Sequence, residues 1–529
     1  MKNKNQNSKF YLVGGGIASL ASAVFLIRDG KIPGRNITIF EADKKMGGSL
    51  DTVKSSSRKG YITRGHRVFE ERAYTSTFNL LESIPSLTDP SKNIKQEILE
   101  FNHKYKIYNK ARLIAFGGKL QATSFGLSYK DKFALLRILL LREASLETLR
   151  IQDYFSPNFF HTNFWFEFCT VFAFQPWDSL VEFRRYALRS FHALSFFESL
   201  ECLLVTPYHE HDSIVLPIVE FLRKQGVKFQ ASCKINDLHF ARTKNKKRVK
   251  KIVCAQNGKT KNITVNENDF VFVTLGSMVA NSSVGGMHQP PLPPSKSKGV
   301  SWKLWEKLAK QDRDFGKPEI FDNAEDKSNW ESFTLTFNDS RFFDLVEKLT
   351  KNKRGSGGGS TLKNSNWLIS FVLPHQPHFI NQPKNVNVCW GYALYSNRKG
   401  NFVKKKMSEC SGEEILQELC CHLGFQKDLS KIIKSAICIP CMLPYITSQF
   451  TPHKKENRAM IIPRKYSNLA CIGQFCEIPR EIVFTIEYSI RSAQIGVNSL
   501  LNLKYEIPTI YKGYHHPKAI YQAIKTIFR

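Results

Sequence analysis

Residues 10–30 read FYLVGGGIASLASAVFLIRDG, a short apolar run followed by three glycines and a segment of small and apolar residues. The pattern predicts a strand over residues 10–13, a tight turn over residues 14–16 and a helix over residues 17–28. A turn without Cβ atoms lets backbone N–H groups approach a phosphate at the positive end of the helix dipole. This stretch therefore predicts the first unit of a dinucleotide-binding α/β domain.

The residues after this helix strengthen the dinucleotide prediction. A second strand is predicted over residues 37–40, and it ends in Glu41, where an acid would hold a ribose hydroxyl. Ser19 stands where the usual fingerprint has its third glycine. An ordinary glycine-rich strand–helix turn is the alternative, but the order of strand, turn, helix, strand and acid favours a dinucleotide site.

Later segments favour FAD over a nicotinamide dinucleotide. The run MGGS at residues 46–49 follows the acid closely, as in proteins that wrap FAD with a second backbone segment. Strands predicted over residues 270–274 and 468–472 are each followed by a glycine; taken singly, each glycine could merely end a buried strand. A helix beginning near residues 484–485 would direct its N-terminus toward the flavin. The cofactor residues predicted on these grounds are Gly14, Gly15, Gly16, Ser19, Glu41, Gly47, Gly48, Ser49, Gly276, Gly473, Phe484 and Thr485.

Length and composition indicate a multidomain α/β protein. A chain of 529 residues exceeds the size that one hydrophobic core normally serves. Residues 1–9 are polar and basic, and no run of about eighteen apolar residues occurs, so we expect neither a signal peptide nor a membrane span. Twelve scattered cysteines fit a reducing cytoplasm. Cys438 and Cys441 have CxxC spacing without a second pair, so they are interpreted as packed thiols, and no metal site is predicted.

The formal net charge of +31 implies an anionic partner. Its densest run, RTKNKKRVKK at residues 242–251, lies between two apolar stretches and is predicted to form a hairpin tip, where a solvated turn is a sufficient local explanation. Across the whole chain, the excess favours nucleic acid or acidic phospholipid. No zinc-finger, RNA-recognition or helix-turn-helix pattern accompanies the basic residues, so an anionic membrane surface is favoured and nucleic acid is not expected.

Forty phenylalanines are present, and many of them lie in residues 159–177. Their helical spacing is typical of a buried core. The alternative is a long apolar tunnel, because fatty chains are bound through buried apolar area rather than through polar contacts.

Motifs spread over nearly the whole chain carry a family resemblance. They are YLVG to FLIRDG (residues 11–30), GYI (60–62), SIPSL (83–87), FAFQPW (172–177), RRY (184–186), VLP (215–217), WKLW (302–305), YALYS (392–396) and PYITS (444–448). On these motifs the chain resembles the oleate hydratase family, also called the myosin-cross-reactive-antigen family. The resemblance implies an FAD-containing protein, cytoplasmic or peripheral to the membrane, that adds water to a cis double bond of a free unsaturated fatty acid.

The resemblance also implies a pair of catalytic groups, one of which is altered here. General acid–base hydration needs a proton donor to the alkene and a carboxylate that activates water. The family tyrosine maps onto Tyr186. The family's flavin-facing RGGREME corresponds to RGHRVFE at residues 64–70, which keeps Arg64 and Gly65 as flavin contacts but places Val68 at the catalytic glutamate. A register shift of one residue does not restore the acid. Glu70 or Glu71 could replace it if the backbone bulges, and Glu70 is the residue assigned.

Substrate contacts implied by the resemblance are altered as well. The family's Thr-x-Asn-x-x-x-His pattern for the fatty-acid carboxylate becomes VLPHQPH at residues 372–378 and keeps His378. A substrate-contacting glutamine maps onto Glu210, whose charge would repel a carboxylate unless a cation offsets it. Many members continue with a basic helical segment used at membranes, and the basic, partly amphipathic residues 518–529 are expected to serve weakly in that role.

The expected architecture is an α/β protein whose Rossmann-like FAD domain, of the glutathione-reductase type, is joined to a mixed α+β substrate domain and a helical lid. The segments are residues 1–110, 205–294 and 436–505 for FAD binding, 111–204 for the aromatic lid, 295–435 for the substrate domain and 506–529 for a short basic tail. The function expected is fatty-acid hydration. The alternatives are a catalytically impaired FAD- or lipid-binding relative, and a flavin oxidoreductase or double-bond isomerase that does not need the glutamate. A homodimer is compatible with the sequence.

Overall fold

The computed structural model describes residues 6–53, 60–120, 124–243, 245–295, 297–356 and 358–528. Within these ranges the strands are β1 (Phe10–Val13), β2 (Ile37–Phe40), β3 (Thr52–Val53), β4 (Ile62–Thr63), β5 (Leu113–Ala115), β6 (Gly118–Leu120), β7 (Lys228–Gln230), β8 (Cys233–Arg242), β9 (Lys247–Gln256), β10 (Lys259–Thr264), β11 (Phe270–Thr274), β12 (Ser283–Val284), β13 (Trp330–Phe337), β14 (Ser360–Leu362), β15 (Ile369–Val372), β16 (Asn387–Ala393), β17 (Ala436–Leu443), β18 (Ala459–Met460), β19 (Leu469–Ile472) and β20 (Cys476–Glu477). The helices are α1 (Ile17–Arg28), α2 (Thr75–Leu81), α3 (Ile94–Lys104), α4 (Tyr129–Leu140), α5 (Ile151–Tyr154), α6 (Asn163–Phe172), α7 (Leu180–Arg189), α8 (Leu216–Lys224), α9 (Val300–Gln311), α10 (Glu319–Asp322), α11 (Glu325–Ser328), α12 (Arg341–Thr350), α13 (Gly412–Leu423), α14 (Leu429–Ser435), α15 (Ile486–Leu501) and α16 (Pro517–Phe528).

A five-stranded parallel sheet organises the N-terminal part of the fold. Its strand order is β19-β11-β1-β2-β7, so strands from remote parts of the chain flank the N-terminal strand. Strands β1, β11 and β19 are almost entirely apolar because both faces of a parallel sheet are buried, whereas the edge strand β7 is polar and partly exposed. Helices α1 and α15 pack on each other in the same core, which also includes Leu20, Phe25 and Ile490. The predicted Rossmann-like α/β fold is confirmed.

A second, eight-stranded sheet is mixed. Its order is β12-β17-β13-β16-β15-β14-β5-β6, with β14 and β5 parallel and the other pairs antiparallel. Phe333, Phe342 and Trp367 are buried in the core beneath it. The sheet takes strands from residues 113–120 and 436–443 as well as from the middle of the chain, so its two ends are built by segments far apart in sequence.

The most basic run lies in a three-stranded antiparallel sheet, β10-β9-β8. The hairpin is confirmed, but the prediction that the whole run forms its tip is wrong, because β9 already begins at Lys247. Val249, Ile252 and Cys254 are buried, with a register shift in the ladder between Val249 and Lys251, and this burial extends the strand through the charges. Lys247 Nζ also lies 3.2 Å from Asp312 Oδ2. Lys244 lies outside the described residues.

The phenylalanine-rich segment packs mainly as core. The rings of Phe155 and Phe159 stack with centroids 4.0 Å apart, and Phe168 contacts Phe183 at 4.8 Å. All four rings are buried in the same hydrophobic cluster. Phe172, at the C-terminal end of α6, instead lines an apolar cavity. The stacked rings are therefore core residues, as their helical spacing predicts, whereas Phe172 lines a cavity, as the alternative of an apolar tunnel predicts.

Candidate active site

A cavity of about 440 Å³ opens at the carboxyl ends of the parallel strands. This is the edge where open α/β sheets bind their ligands. The predicted cofactor residues that line it are Gly14, Gly15, Gly16, Glu41, Gly48, Ser49, Arg64, Gly276 and Gly473. Ser489 of α15 contributes to the same wall.

The glycine turn requires the absence of side chains at two positions. Gly14 has φ of +96°, and a Cβ there would lie 3.1 Å from the Cβ of Thr274. Gly48 has φ of +57°, and a Cβ there would lie 3.2 Å from the Cα of Gly16. The first turn of α1 has no side-chain cap, so its backbone N–H groups are available to an anion.

Glu41 lies where the sequence predicts a ribose contact. Its Oε2 accepts a hydrogen bond of 2.6 Å from the N–H of Gly15, and its Oε1 accepts one of 2.9 Å from the N–H of Asp43. Burial raises the pKa of the Glu41 carboxyl. These bonds fix the carboxylate beside the glycine turn. The uncapped backbone N–H groups at the start of α1 and the Glu41 carboxylate together fit a dinucleotide, because they can bind its phosphates and a ribose hydroxyl.

Two predicted cofactor residues, Ser19 and Gly47, lie next to the glycine turn but do not line the dinucleotide cavity. Ser19 is fully buried in α1, with its Oγ 3.5 Å from the Oγ1 of Thr274. Gly47 donates a backbone hydrogen bond of 2.9 Å to the carbonyl of Gly15. Both residues therefore join the turn to neighbouring segments.

A second, largely apolar cavity of about 210 Å³ is lined partly by the aromatic segment. Its lining residues include Val68, Glu70, Tyr74, Arg112, Phe172, Tyr186, His192, Phe196, Phe197, Val372, His378, Trp390 and Phe484. A cavity of this composition fits a hydrocarbon chain, since most of its surface is carbon.

Tyr186 lies on α7 in the wall of this apolar cavity. Its ring packs against Phe172 and Phe174, and its hydroxyl donates a hydrogen bond of 2.5 Å to the carbonyl of Val483. Burial raises the pKa of the Tyr186 hydroxyl well above its ordinary value, while Arg189 opposes that rise. The phenol therefore keeps its proton at neutral pH.

The segment over residues 64–70 contributes to both cavities. Arg64 lines the dinucleotide cavity, whereas Val68 and Glu70 line the apolar one. Gly65 leaves room for the guanidinium of Arg67, because a Cβ at residue 65 would lie 1.9 Å from Arg67 Nη1. The carboxylate of Glu70 accepts a hydrogen bond of 2.7 Å from the N–H of Ala73. The altered family motif thus lies between the two sites.

Glu210 and His378 occupy different surroundings. Glu210 is buried, and its Oε1 accepts a hydrogen bond of 2.5 Å from the backbone N–H of Arg67. His378 lines the apolar cavity. Its ring is tilted against that of His66 and edge-on to that of His209, with centroids 5.9 Å and 5.5 Å away. Burial lowers the pKa of His378 well below its ordinary value, and its neighbouring histidines lower it further. Glu210 is therefore a structural anchor of the 64–67 segment in this arrangement.

The N-terminal end of α15 also contributes to both cavities. Phe484 and Thr485 line the apolar cavity rather than the dinucleotide cavity. One turn later, Ser489 lines the dinucleotide cavity. Gln474 Nε2 donates hydrogen bonds of 2.7 Å and 2.8 Å to Thr485 O and Ser489 Oγ. Residues 473–489 therefore join the two cavities, as residues 64–70 do.

Sequence reasoning missed several residues of the apolar cavity. Arg112 is buried, donates to Gly359 and Thr170, and has an Nε without a hydrogen-bond partner in the described part of the chain. His192 lines the same cavity. The glycine-rich run at residues 354–360 was a visible signal for a cavity loop, but nothing near Arg112 or His192 marks them in sequence.

Comparison with known proteins identifies the family. Residues 7–498 match the sequence profile of the MCRA family. The chain belongs to the MCRA family. Oleate hydratase of Streptococcus pyogenes is 38% identical over 98% of this chain and 89% of that protein. Linoleate hydratase of Lactiplantibacillus plantarum is 31% identical over 98% of each chain.

Solved structures agree with the fold. Cyclohexylamine oxidase of Brevibacterium oxydans superposes with a TM-score of 0.53 at 10% identity, over 94% of this chain and 99% of that one.

Across the described ranges, no helix has the length and apolar content to span a membrane, and no His, Cys, Asp and Glu side chains group as a metal site. All twelve cysteines, each within a described range, are free thiols.

Proposed function

We propose that this protein is an FAD-containing fatty-acid hydratase, which adds water to a cis double bond of a free unsaturated fatty acid. The observation that carries the proposal is the apolar cavity, because Tyr186 and Glu70 line it and it lies beside the dinucleotide cavity. The hydratase relatives support the same reaction class. The turn at residues 14–16, Glu41 and Gly473 would hold FAD, which is not consumed by the net reaction and shapes the site when bound.

Tyr186 is the proposed proton donor. Its raised pKa keeps it protonated until charge develops on the alkene. Its present acceptor is the carbonyl of Val483, next to Phe484 of the cavity wall. To protonate an alkene, the hydroxyl would have to give up this hydrogen bond, so substrate would compete with the Val483 carbonyl for the same proton.

Arg67 and His378 are proposed to receive the fatty-acid carboxylate. Both line the apolar cavity, and Arg67 Nη2 is a buried donor without a hydrogen-bond partner among the described residues. A buried, unsatisfied guanidinium donor is costly, and a carboxylate would satisfy it. The Glu210 carboxylate accepts a hydrogen bond from the Arg67 backbone N–H, and its Oε2 lies 3.3 Å from His209 Nε2. The carboxylate therefore faces those two residues.

Incubation of the FAD-loaded protein with a reductant and a panel of unsaturated fatty acids tests the proposed function. Products are identified by mass spectrometry. Formation of hydroxy fatty acids, a gain of one water, is the expected result, and its loss in Tyr186→Phe assigns the proton donor. A product of unchanged mass with a moved double bond would indicate an isomerase instead.

A catalytically impaired FAD- or lipid-binding protein is the second candidate. The observation that favours it is Val68, which packs against Ile107 and Leu200 where the family resemblance expects a carboxylate. Binding of fatty acid without any product in the assay above would favour this candidate.

We also propose a cytoplasmic protein that binds anionic membranes peripherally. Helices α4 and α16 meet where Phe133 contacts Phe528, and both rings are exposed on their outer faces. Tyr129 and Tyr521 extend this apolar surface, and Lys132 Nζ lies over the Phe528 ring. Helix α16 packs on residues 191–196, of which His192, Ala193 and Phe196 line the apolar cavity, so lipid would lie close to the substrate site. A homodimer stays a prediction.

A further inference from the structure

Glu70 and His192 meet at the wall of the apolar cavity, although they are more than 120 positions apart in the chain. Glu70 Oε1 lies 3.6 Å from His192 Nε2, within ion-pairing distance. The other carboxylate oxygen, Oε2, is fixed by the N–H of Ala73 at 2.7 Å. One oxygen of Glu70 is therefore anchored to the backbone while the other faces the imidazole.

The C-terminal segment holds His192 in place. The ring of Tyr511 packs edge-on against the imidazole, with centroids 5.1 Å apart. Residue 513 must be small, because a Cβ on Gly513 would lie 2.7 Å from His192 Nδ1. Both ring nitrogens are buried without a hydrogen-bond partner among the described residues, and such groups are costly unless they serve a bound molecule.

The other ionisable groups of the cavity are poor candidates for a base. In the described part of the chain, Glu70 is the only carboxylate that lines this cavity. Burial raises the pKa of the Tyr74 and Cys202 side chains, so both stay protonated. Burial lowers the pKa of His66, His375 and His378, so these rings accept a proton poorly. A carboxylate paired with an imidazole is the arrangement that remains.

We propose that His192 takes the proton from the attacking water and that Glu70 is its positioning residue, replacing the carboxylate that position 68 lacks. This inference rests on the proposed hydratase function. The water oxygen forms a C–O bond to one alkene carbon, while the alkene π pair takes the proton of the Tyr186 hydroxyl at the other carbon. His192 receives the proton that water loses, and the Glu70 carboxylate faces the resulting imidazolium and orients it. The imidazolium proton then returns to Tyr186 through solvent, so the enzyme is regenerated.

The decisive experiment measures kcat, KM and fatty-acid affinity for the FAD-loaded wild type and for His192→Ala, Glu70→Gln and the double variant. We expect His192→Ala to lower kcat by about 10²–10⁴-fold, the usual effect of losing a general base, with little change in affinity. Added imidazole should restore part of the activity of His192→Ala. Because the two residues act as a unit, the double variant should be little slower than His192→Ala, and Glu70→Asp should recover part of the loss in Glu70→Gln.

Matched controls are Glu71→Gln, the exposed neighbouring carboxylate, and His288→Gln, an exposed imidazole. Both should keep wild-type kcat. An active wild type whose kcat is unchanged by His192→Ala, or reduced equally by Glu71→Gln, overturns the pair but leaves the hydratase function standing. A wild type that binds FAD and fatty acid but forms no hydroxy product overturns the hydratase function, and the pair with it. Additive effects of the two substitutions would also contradict a coupled pair.

Discussion

At the residue scale, three histidines with little exposure make the protein sensitive to acid. His66 and His378 line the apolar cavity, and the His209 ring packs against His378; His209 and His378 are buried, and 11% of the His66 side chain is exposed. Burial lowers the pKa of His209 to about 3, although Glu210 lies 3.3 Å from its ring, and it lowers the pKa of the other two as well. In the unfolded chain, histidines take up protons below about pH 6.5.

The unfolded state therefore binds more protons than the folded state as pH falls below about 6.5. Stability is present above that pH and is lost toward pH 3, by about 1.4 kcal/mol per pH unit for each neutral buried histidine. Thermal unfolding midpoints measured from pH 8 to pH 4 should show this loss. His209→Gln should flatten the acid limb, whereas His288→Gln should not, since His288 is exposed. Parallel curves for all three proteins would contradict the prediction.

A second residue-scale prediction concerns Gly14. Gly14→Val would place a branched side chain at φ of +96°, against the Cβ of Thr274 and in the path of a pyrophosphate. We expect flavin absorbance to be lost after reconstitution while far-UV circular dichroism is kept. Gly258→Val is the control, because Gly258 also has positive φ but has no neighbour within 4 Å. Normal flavin content in Gly14→Val would refute the assigned cradle.

At the element scale, we predict that the extended segment over residues 64–70 sets the rate of hydration. Val68→Glu restores a carboxylate to the cavity wall, and His66→Gly removes a ring that packs near His378. If position 68 supplies the better base, hydroxy-fatty-acid formation should rise by about 10²-fold or more in Val68→Glu, because general bases contribute on that scale. The increase should disappear when Tyr186→Phe is added. Val68→Gln introduces a side chain with the shape of glutamate but without its charge, and it should show no increase in hydroxy-fatty-acid formation.

A further element-scale prediction concerns the contact of α15 with the parallel sheet. A Cβ on Gly496 would lie 3.4 Å from Ala470 Cβ and from Phe272 Cε1. Gly496→Ala should be tolerated, since alanine fits and favours the helix. Gly496→Leu should destabilise the protein by about 1–3 kcal/mol through overpacking. Thermal midpoints of the two variants check this, and equal midpoints would show that the interface is loose.

At the scale of the whole molecule, the charge of +31 and the exposed aromatic surface of α4 and α16 predict membrane binding. Association with anionic vesicles should exceed that with neutral vesicles and weaken with salt, since screening acts over about 10 Å at 0.1 M. Tyr521→Asp and Phe528→Asp should each weaken binding by about tenfold or more, because a buried aromatic side chain contributes about 1.5–3 kcal/mol. Leu292→Asp, at another exposed apolar residue, is the control in a vesicle co-sedimentation assay. Equal binding to anionic and neutral vesicles would show that the positive charge of the protein does not contribute to membrane binding.

The sequence by itself determined the dinucleotide unit and the family. The strand, turn, helix, strand and Glu41 all lie within residues 10–41, and neighbours in sequence fix their geometry through local backbone preferences. The motif around Tyr186 could likewise be recognised because it is contiguous. The CxxC pair was also correctly interpreted as packed thiols, since both cysteines are buried in β17.

Only the tertiary structure decided the composition of the apolar cavity. Glu70 meets His192, Arg67 meets Glu210, and the C-terminal Gly513 covers His192, all across more than 100 positions of sequence. Such pairings depend on how the two large sheets are assembled from distant strands, which no local pattern records. The basic run shows the same limit, because burial of Val249 and Ile252 against the rest of the molecule, rather than the local charge, made it a strand.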